Sequence, residues 1–326
     1  MTPRSPLQAL DGERPIAPDE PAAAVATVRP QTSVASQVIT FVAVAGPPLA
    51  VLSVMGILWG VAVRPIDLAL LAGMYLACGL GISIGFHRYF THRGFETTRP
   101  IRALLAVLGS MTLQGPVTQW VTDHRKHHAL SDQPGDPHSP HTHDQDGWLG
   151  TVLGLWHAHV GWLFRTKGME RGEHYGRDLF ADPLIRVIDR LYFLWVALTF
   201  AIPFAIGWAV GGSAGLGLEA LVWGGLLRIF LFQHTTWAVN SVCHVYGTRP
   251  FPTRDESRNN VVIAVATFGE GWHNNHHAFP SSAVHGLLER QFDLSASIIR
   301  WLERVGLVWD VRVPDTRTVE RRRREA

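Results

Sequence analysis

Four long apolar stretches constrain the fold of this chain more than any other feature of its sequence. They cover residues 38–63, 66–86, 191–210 and 216–242. A membrane-spanning helix needs about 20 mainly apolar residues, and a backbone in lipid must satisfy its own hydrogen bonds. Because only short turns separate the first two stretches and the last two, the sequence predicts an all-α integral membrane protein with four spans in two hairpins.

Basic residues are concentrated after the second and the fourth stretch. By the positive-inside rule the segments 87–190 and 243–310 face the cytoplasm, and two hairpins then place both termini there. We expect these segments to form one cytosolic helical cap, in the plasma membrane if the chain is bacterial. The apolar segment 103–112 is too short to span a bilayer, so we interpret it as a helix on the membrane or beneath the spans.

The two ends of the chain differ in composition from the predicted membrane domain, 36–310. Residues 1–35 combine Pro, Ala and Thr with charges of both signs, which predicts a disordered leader rather than a signal peptide. Residues 311–326 are rich in arginine and predict a disordered basic tail. The net charge of +2 is too small to indicate nucleic-acid binding. Cys78 and Cys243 lack metal-finger or redox spacing and are expected to be reduced and buried.

Nine histidines stand in four clusters at the ends of the predicted spans or just beyond them. They are His87, His92, His124, His127, His128, His244, His273, His276 and His277. Two clusters share the pattern His-x-x-His-His, which on a helix forms one stripe, and Asn240 shares a helix face with His244. One metal ion usually takes four ligands and at most about six. Nine imidazoles therefore indicate a dinuclear centre.

The metal is not selected by the ligands alone, because imidazole suits zinc, copper, iron and nickel. Dimetal hydrolases rely on bridging carboxylates, and the clusters contain almost none apart from Asp123 and Glu270. A redox-active iron pair fits better. Other histidines carry weaker signals: those within 138–143 lie in a proline-rich segment that we interpret as a solvated loop. For His157, His159 and His234, a buried polar group in the core is as good an explanation as binding.

Five short motifs contain these clusters. They are Gly-x-His-Arg-x-x-x-His-Arg at 85–93, Asp-His-Arg-x-His-His at 123–128, Asp-Pro-His at 136–138, Asn-Ser-x-x-His at 240–244 and Gly-Glu-Gly-x-His-Asn-x-His-His at 269–277. With them the chain resembles the membrane-bound fatty acyl desaturases, specifically the acyl-CoA delta-9 (stearoyl-CoA) type. The resemblance covers residues 38–310 and includes the four-span arrangement.

The resemblance implies a set of site residues and cofactors. The nine clustered histidines would bind two Fe²⁺ ions, with Asn240 contributing through a water and O₂ as co-substrate; overexpressed protein can carry zinc instead. A narrow, kinked tunnel would hold the acyl chain. The residues that match its bend are Gln114, Trp120, Thr236 and Trp237, although the two tryptophans also suit interfacial anchoring. Asp123 and Arg125 stand where the acyl-CoA head group would approach.

The implied reaction is the oxygen-dependent introduction of a cis double bond, delta-9 by the resemblance, into a saturated acyl-CoA. Without a fused cytochrome b5 haem motif, electrons would come from a separate ferredoxin, cytochrome b5 or reductase. The segment after Asp-Pro-His is longer than in animal enzymes and resembles bacterial members, so an acyl-lipid desaturase stays open as an alternative. A related di-iron hydroxylase is another. A metal transporter is disfavoured because the spans hold few polar residues.

Arg228 interrupts the last predicted span. It would cost a few kcal/mol at mid-bilayer if it faced lipid, so we expect it to face inward, towards an acidic side chain or backbone carbonyls. Sixteen residues separate it from His244, roughly 24 Å of helix. Its predicted role is therefore structural rather than in metal binding.

Overall fold

The computed structural model describes residues 34–57, 63–142, 147–165 and 172–326. The predicted leader, 1–35, lies outside the described residues apart from its last two. In chain order the helices are α1 Val34–Ile57, α2 Pro65–Leu80, α3 Arg99–Ser110, α4 Val117–Leu130, α5 Gly147–Trp156, α6 Trp162–Arg165, α7 Gly172–Tyr175, α8 Arg177–Ala181, α9 Pro183–Arg190, α10 Tyr192–Gly211, α11 Ala214–Leu221, α12 Arg228–Ser241, α13 Val261–Ala266, α14 His273–Ala278, α15 Leu294–Arg304 and α16 Thr316–Arg324. The described chain is mostly helical, as predicted.

Several shorter elements connect or extend these helices. Wider π-helical segments cover Gly81–Thr91, His157–Gly161 and Val222–Leu227, and a 3-10 turn covers Val242–His244. Strands β1 Glu96–Thr97 and β2 Val308–Trp309 pair antiparallel, with Thr97 opposite Val308. The π-helical segments continue α2 and join α11 to α12, so each of these pairs forms one long helical run.

Three helical runs among the described residues are long and apolar enough to cross a membrane. They are Pro65–Thr91, Tyr192–Gly211 and Ala214–His244. The predicted span 38–63 corresponds to α1, whose described apolar part, Gln37–Ser53, is shorter than a span. Residues 58–62 lie outside the described part of the chain. The described residues therefore support three of the four predicted spans.

The last two spans are joined by a tight turn. Gly212 ends α10 with φ +74°, a left-handed conformation that glycine adopts without strain, and the Ser213 hydroxyl then accepts the Leu216 N–H at the start of α11. A Cβ on Gly207 would lie 2.2 Å from that of Ala220. The two helices can approach this closely only because Gly207 has no side chain.

Helix α4, which carries a histidine cluster, is anchored at its first turn. The backbone N–H groups of Val117 and Thr118 donate to the Asp189 carboxylate at 2.9 and 3.1 Å, which satisfies donors that a helix start leaves free. The same helix buries Val121 against Phe86 of the first span's π-helical segment. These contacts fix α4 against the C-terminal end of the helical run that ends at Thr91.

Arg228 lies fully buried at the start of α12. Its guanidinium donates to the Gly224 and Met111 carbonyls at 3.3 and 3.2 Å and to the Thr199 hydroxyl at 3.4 Å. The inward orientation among backbone carbonyls confirms the prediction. Cys78 and Cys243 are likewise free and buried, as expected.

The predicted disordered tail is the main difference from the sequence interpretation. Within 311–326 the structure has a helix, α16. The Asp315 carboxylate accepts the Thr318 N–H at its start, at 2.8 Å, and Val319 is buried against Phe251 and Ala278. The Arg322 guanidinium also lies over the Phe279 ring, 5.4 Å from its centroid, so a helix with a strongly basic composition is capped and packed against the rest of the chain.

Candidate metal centre and cavity

The nine clustered histidines come together as two groups. The first group is His87, His92, His124, His128 and His276, and the second is His127, His244, His273 and His277. Within each group the candidate ligand atoms all lie within 4.8 Å of one another. Five and four imidazoles match the ligand numbers that two separate metal ions require.

The two His-x-x-His-His helices each contribute to both groups. On α4, the positions four residues apart, His124 and His128, enter the first group, and His127 enters the second. On α14 the assignment is reversed, because His276 enters the first group and the other two enter the second. Positions i and i+4 of a helix lie on one face and i+3 lies beside them, so each helix can face two ions at once.

Carboxylates orient four of the nine rings. The Nδ1 atoms of His127, His244 and His277 contact carboxylate oxygens at 3.0, 2.8 and 2.7 Å, and His87 pairs with Glu270. The partners of the first three are Asp136, Asp132 and Asp255. A carboxylate at Nδ1 holds the proton there and leaves the lone pair on Nε2, as in most histidine metal sites.

The free nitrogens fit metal cations. The Nε2 atoms of His92, His127 and His277 are buried without a hydrogen-bond partner, and for the last two the proton is held at Nδ1 by a carboxylate. An unpaired lone pair costs about 1–3 kcal/mol when buried. A metal ion at each group would satisfy these nitrogens without any rearrangement of the carboxylates.

One cavity opens onto members of both groups. The histidines of the two groups that line it are His87, His124 and His273. The other lining residues are Ile82, Gln114, Trp120, Asp123, His138, Trp162, Leu163, Thr236, Trp237, Val239, Asn240 and Glu270. The structure thus brings together the four predicted tunnel residues, Asp123 and Asn240. The walls away from the histidines are mainly apolar, which suits a hydrocarbon chain.

A hydrogen-bonded chain ties opposite walls of the cavity together. The Gln114 amide donates to the Thr236 hydroxyl at 3.1 Å and accepts the Trp120 indole N–H at 3.2 Å. The Trp120 ring also stacks on His124 with centroids 4.9 Å apart. The wall is therefore fixed directly to a ring of the first group.

Comparison with known proteins decides the family. Residues 67–290 match the fatty acid desaturase family model. The chain is 42% identical over 84% of its length to a hex-5-enoyl-[acyl-carrier protein] acetylenase of Moorena producens (strain JHB), of which the match covers 85%. The chain belongs to the fatty acid desaturase family. The desaturase is also 39% identical to an acyl-CoA C20 Delta5-desaturase of Anemone leveillei, over 74% of the chain and 72% of the relative. Over 74% of the chain and 82% of the relative, it is 35% identical to the sn-1 stearoyl-lipid 9-desaturase of Anabaena variabilis.

The electrostatics of this desaturase keep most of the histidines neutral. Burial, reinforced by neighbouring imidazoles, lowers the pKa of each of five rings well below the ordinary value: His92, His124, His128, His273 and His276. Burial also lowers the pKa of His277, to about 4, although Asp255 opposes it. Neutral imidazole is the form that binds metals. His127 differs, since burial lowers its pKa but Asp136, together with Asp132 and Asp255, outweighs burial and raises it. A proton and a metal therefore compete for its Nε2.

A buried charge network holds Glu270 beside the first group. Arg88 is fully buried and contacts Glu270, Asp293 and the Ala283 carbonyl, the last at 3.1 Å. Burial alone would raise the pKa of Glu270, but Arg88 and then His87 lower it well below the usual range. Arg88 thus keeps ionised the carboxylate that orients His87.

Two further buried histidines stand beside the groups. We interpreted 138–143 as a solvated loop, but His138 is buried 4.3 Å from the His127 ring and lines the cavity, so that interpretation is wrong for it. His141 is exposed and its Nε2 contacts the His244 carbonyl at 2.7 Å; His143 lies outside the described residues. His285, which the sequence analysis missed, packs 4.5 Å from the His276 ring. It stands alone on a loop, without helical spacing to signal it.

Arg125 is not brought to the cavity lining. Its guanidinium donates to the Asp178 carboxylate at 2.7 and 3.0 Å and to the Phe90 and Tyr175 carbonyls at 2.7 and 2.8 Å. These acceptors hold the side chain against the cap. Arg125 is half-buried and lies outside the set of residues that line the cavity.

His157, His159 and His234, for which the sequence left a core role and a binding role open, lie outside both groups. Nε2 of His159 contacts Nδ1 of His234 at 3.0 Å, so these two rings pair with each other. His157 is half-buried in the same π-helical segment as His159.

Proposed function

We propose that this desaturase binds one iron ion in each histidine group and uses O₂ to place a cis double bond in a saturated fatty acyl chain. The observation that supports this most directly is that one apolar-walled cavity is lined by histidines of both groups. A chain in the cavity would lie beside both ions. Iron would supply the oxidation of unactivated C–H bonds, for which side chains have no chemistry of their own.

The residues of the chain would supply ligands and position. The nine histidines would hold the ions, with Asn240 reaching the second ion through a water from its place on the cavity wall. The wall residues Gln114, Trp120, Thr236 and Trp237 would bend the acyl chain. Asp123 would line the same cavity. Holding the reacting methylenes in one geometry is the main contribution a protein can make here.

Electrons would come from a separate redox protein, such as a ferredoxin, a cytochrome b5 or a reductase. The sequence contains two cysteines, Cys78 and Cys243, and both are buried. An iron–sulfur cluster is usually held by four thiolates, so these two cysteines cannot supply its ligands. We also propose that α1 completes a fourth span with residues beyond it, that the spans form two hairpins, and that the cap and the metals face the cytoplasm.

For the substrate we propose a saturated acyl chain desaturated at the delta-9 position, carried as acyl-CoA. We propose that Asp123 and Arg125 stand where the acyl-CoA head group approaches. An acyl-lipid carrier is the second candidate. The sn-1 stearoyl-lipid 9-desaturase among the relatives acts, by its name, on a lipid-linked chain.

The test is expression in a host that lacks its own desaturase, followed by fatty acid analysis that locates the double bond. We expect a cis-monounsaturated product with wild type and none with His244→Ala. Purified active protein should contain two irons per chain, and zinc-loaded protein should be inactive. A product that gains oxygen would instead indicate a hydroxylase, and supplying acyl-CoA or acyl-lipid to the purified enzyme identifies the carrier.

A further inference from the structure

A hydrogen-bonded pair of histidines lies behind the cavity wall, outside both metal-binding groups. His234, Trp237 and Ser241 fall on one face of α12, at spacings of three and four residues. Opposite them is the π-helical segment His157–Gly161, which packs against α12. Single π-helical turns are rare and frequently accompany functional sites. This one presents His159 to α12.

The directions of the hydrogen bonds follow from the single hydroxyl proton of Ser241. That hydroxyl donates to the Trp237 carbonyl at 2.9 Å, so its oxygen accepts the Nδ1–H of His159 at 3.0 Å. Nε2 of His159 then carries a lone pair and accepts the Nδ1–H of His234 at 3.0 Å. Burial, and then His234, lowers the pKa of His159 to about 4, so this arrangement is intact at neutral pH.

The chain of hydrogen bonds encloses one residue of the cavity wall. The Trp237 indole is only 4% exposed and meets the His234 and His159 rings edge-on, with centroids 5.2 and 6.0 Å away. The same indole lines the cavity. It is thus held from behind by the two imidazoles, while Ser241 ties its backbone carbonyl to the same pair.

We propose that His159, His234 and Ser241 are positioning residues that fix the Trp237 indole and so determine where along the acyl chain the double bond forms. The inference rests on the proposed function. A wall movement that lets the acyl chain slide by one methylene changes which carbons lie beside the metals, whereas the ligands themselves lie elsewhere. The trio should therefore affect regioselectivity and chain-length preference without affecting metal binding.

The test compares His159→Leu, His159→Asn and Ser241→Ala with wild type in the desaturase-deficient host, fed separately with myristic, palmitic and stearic acids. In His159→Leu and Ser241→Ala we expect the ratio of the main double-bond position to its neighbours to fall about fivefold, the effect of losing one neutral hydrogen bond. His159→Asn should recover most of the ratio, because its amide N–H can replace Nδ1–H towards Ser241. Metal content should stay at the wild-type value in all three.

The control is His174→Ala, the loss of an exposed histidine on α7, which should leave the product pattern unchanged. A wild-type product pattern in both His159→Leu and Ser241→Ala overturns the proposal. So does a loss of metal that accompanies any change in pattern, since the trio would then support the ligands. If His159→Leu does not accumulate, the smaller Ser241→Ala change decides. Absence of any unsaturated product from wild type would instead count against the proposed function itself.

Discussion

A histidine binds a metal only through a nitrogen that carries no proton, and in this desaturase neighbouring carboxylates determine which nitrogen that is. In the second group, three of the four rings have an aspartate at Nδ1. Burial raises the pKa of Asp255, but His277 outweighs it and lowers that pKa far below the usual range. The aspartate stays ionised and holds the proton on Nδ1, so Nε2 of His277 is available to the metal.

Asp255→Asn should therefore weaken the second site alone. The amide lacks the charge that favours Nδ1–H, and loss of such a partner typically lowers metal affinity about 10–100-fold. Metal per chain, measured against a series of chelator concentrations, should show one ion released early and one retained. The matched control is Asp178→Asn, which removes a carboxylate paired with Arg125 rather than with a ligand. Equal loss of both ions, or no loss, would contradict the assignment of the two groups.

The sequence predicts the histidine ligands better than the carboxylates that orient them. The His-x-x-His-His spacing is local, so its three side chains share a helix face whatever the rest of the chain does. Asp132, Asp136 and Asp255 are separated from the rings they orient by up to 112 residues, and only the packed structure shows the contacts. The contacts of His138 and His285 with the ligand rings are likewise visible only in the packed structure.

Among the helices, Arg228 shows how a charged group can serve a span. Its contacts with the Met111 carbonyl and the Thr199 hydroxyl link α12 to α10 and to the end of α3. The residue lies at the far end of α12 from Asn240 and His244. Its contribution should therefore be to helix packing.

Arg228→Leu is expected to lower the free energy of unfolding by about 1–3 kcal/mol, the cost of leaving a buried acceptor without its donor. Metal content should not change. Thermal unfolding in detergent and metal analysis of the folded fraction measure the two effects. Arg300→Leu is the control, since the Arg300 side chain is 43% exposed and, within the described part of the chain, forms an ion pair with Glu303 alone. Folded Arg228→Leu protein with empty metal sites would refute this separation of roles.

Helix α16 is held to the rest of the chain by the burial of Val319. Val319→Asp places a charge where Val319 packs against Phe251 and Ala278, so the helix should detach and unfold, and trypsin should then reach its backbone beside the arginines. Cleavage within 321–324 should become at least about tenfold faster, as expected when a buried charge costs well over 1.4 kcal/mol. Thr316→Asp, at an exposed position of the same helix, should cleave at the wild-type rate. Equal rates for both variants would show that Val319 does not hold the helix.

The ends of a helix could be predicted from the sequence where they follow the length of an apolar stretch. They could not be predicted where they depend on one tertiary contact. The runs ending at Thr91, Gly211 and His244 follow the apolar stretches closely. Composition alone gave a disordered tail, because the burial of Val319 depends on partners far away in sequence. The π-helical segments were not predictable either. The first begins at Gly81, where a Cβ would lie 2.2 Å from the Gly109 backbone nitrogen, and that contact joins residues distant in the sequence.

For the whole molecule, the arginine distribution and the helical runs together predict which surfaces share a side of the membrane. Cysteines introduced at Gln133 and Ser297, both exposed, should react with a membrane-impermeant thiol reagent only from the cytoplasmic side. A cysteine at Ser213, in the turn between α10 and α11, should react only from the other side. The native cysteines are buried and give a low background. Opposite labelling of Gln133 and Ser297 would rule out a single cap.

Helices α4 and α14 each contribute histidines to both groups, and this determines when the two groups can form during synthesis. His276 belongs to the first group, and His273 and His277 belong to the second, so neither group has its full set until α14 has left the ribosome. By then the described helical runs that are long and apolar enough to cross a membrane, the last of which ends at His244, have been translated. If each group binds an ion as proposed, metal loading at full coordination would be a late event. A nascent chain stalled before α14 would then be inserted in the membrane while both of its sites remained incomplete.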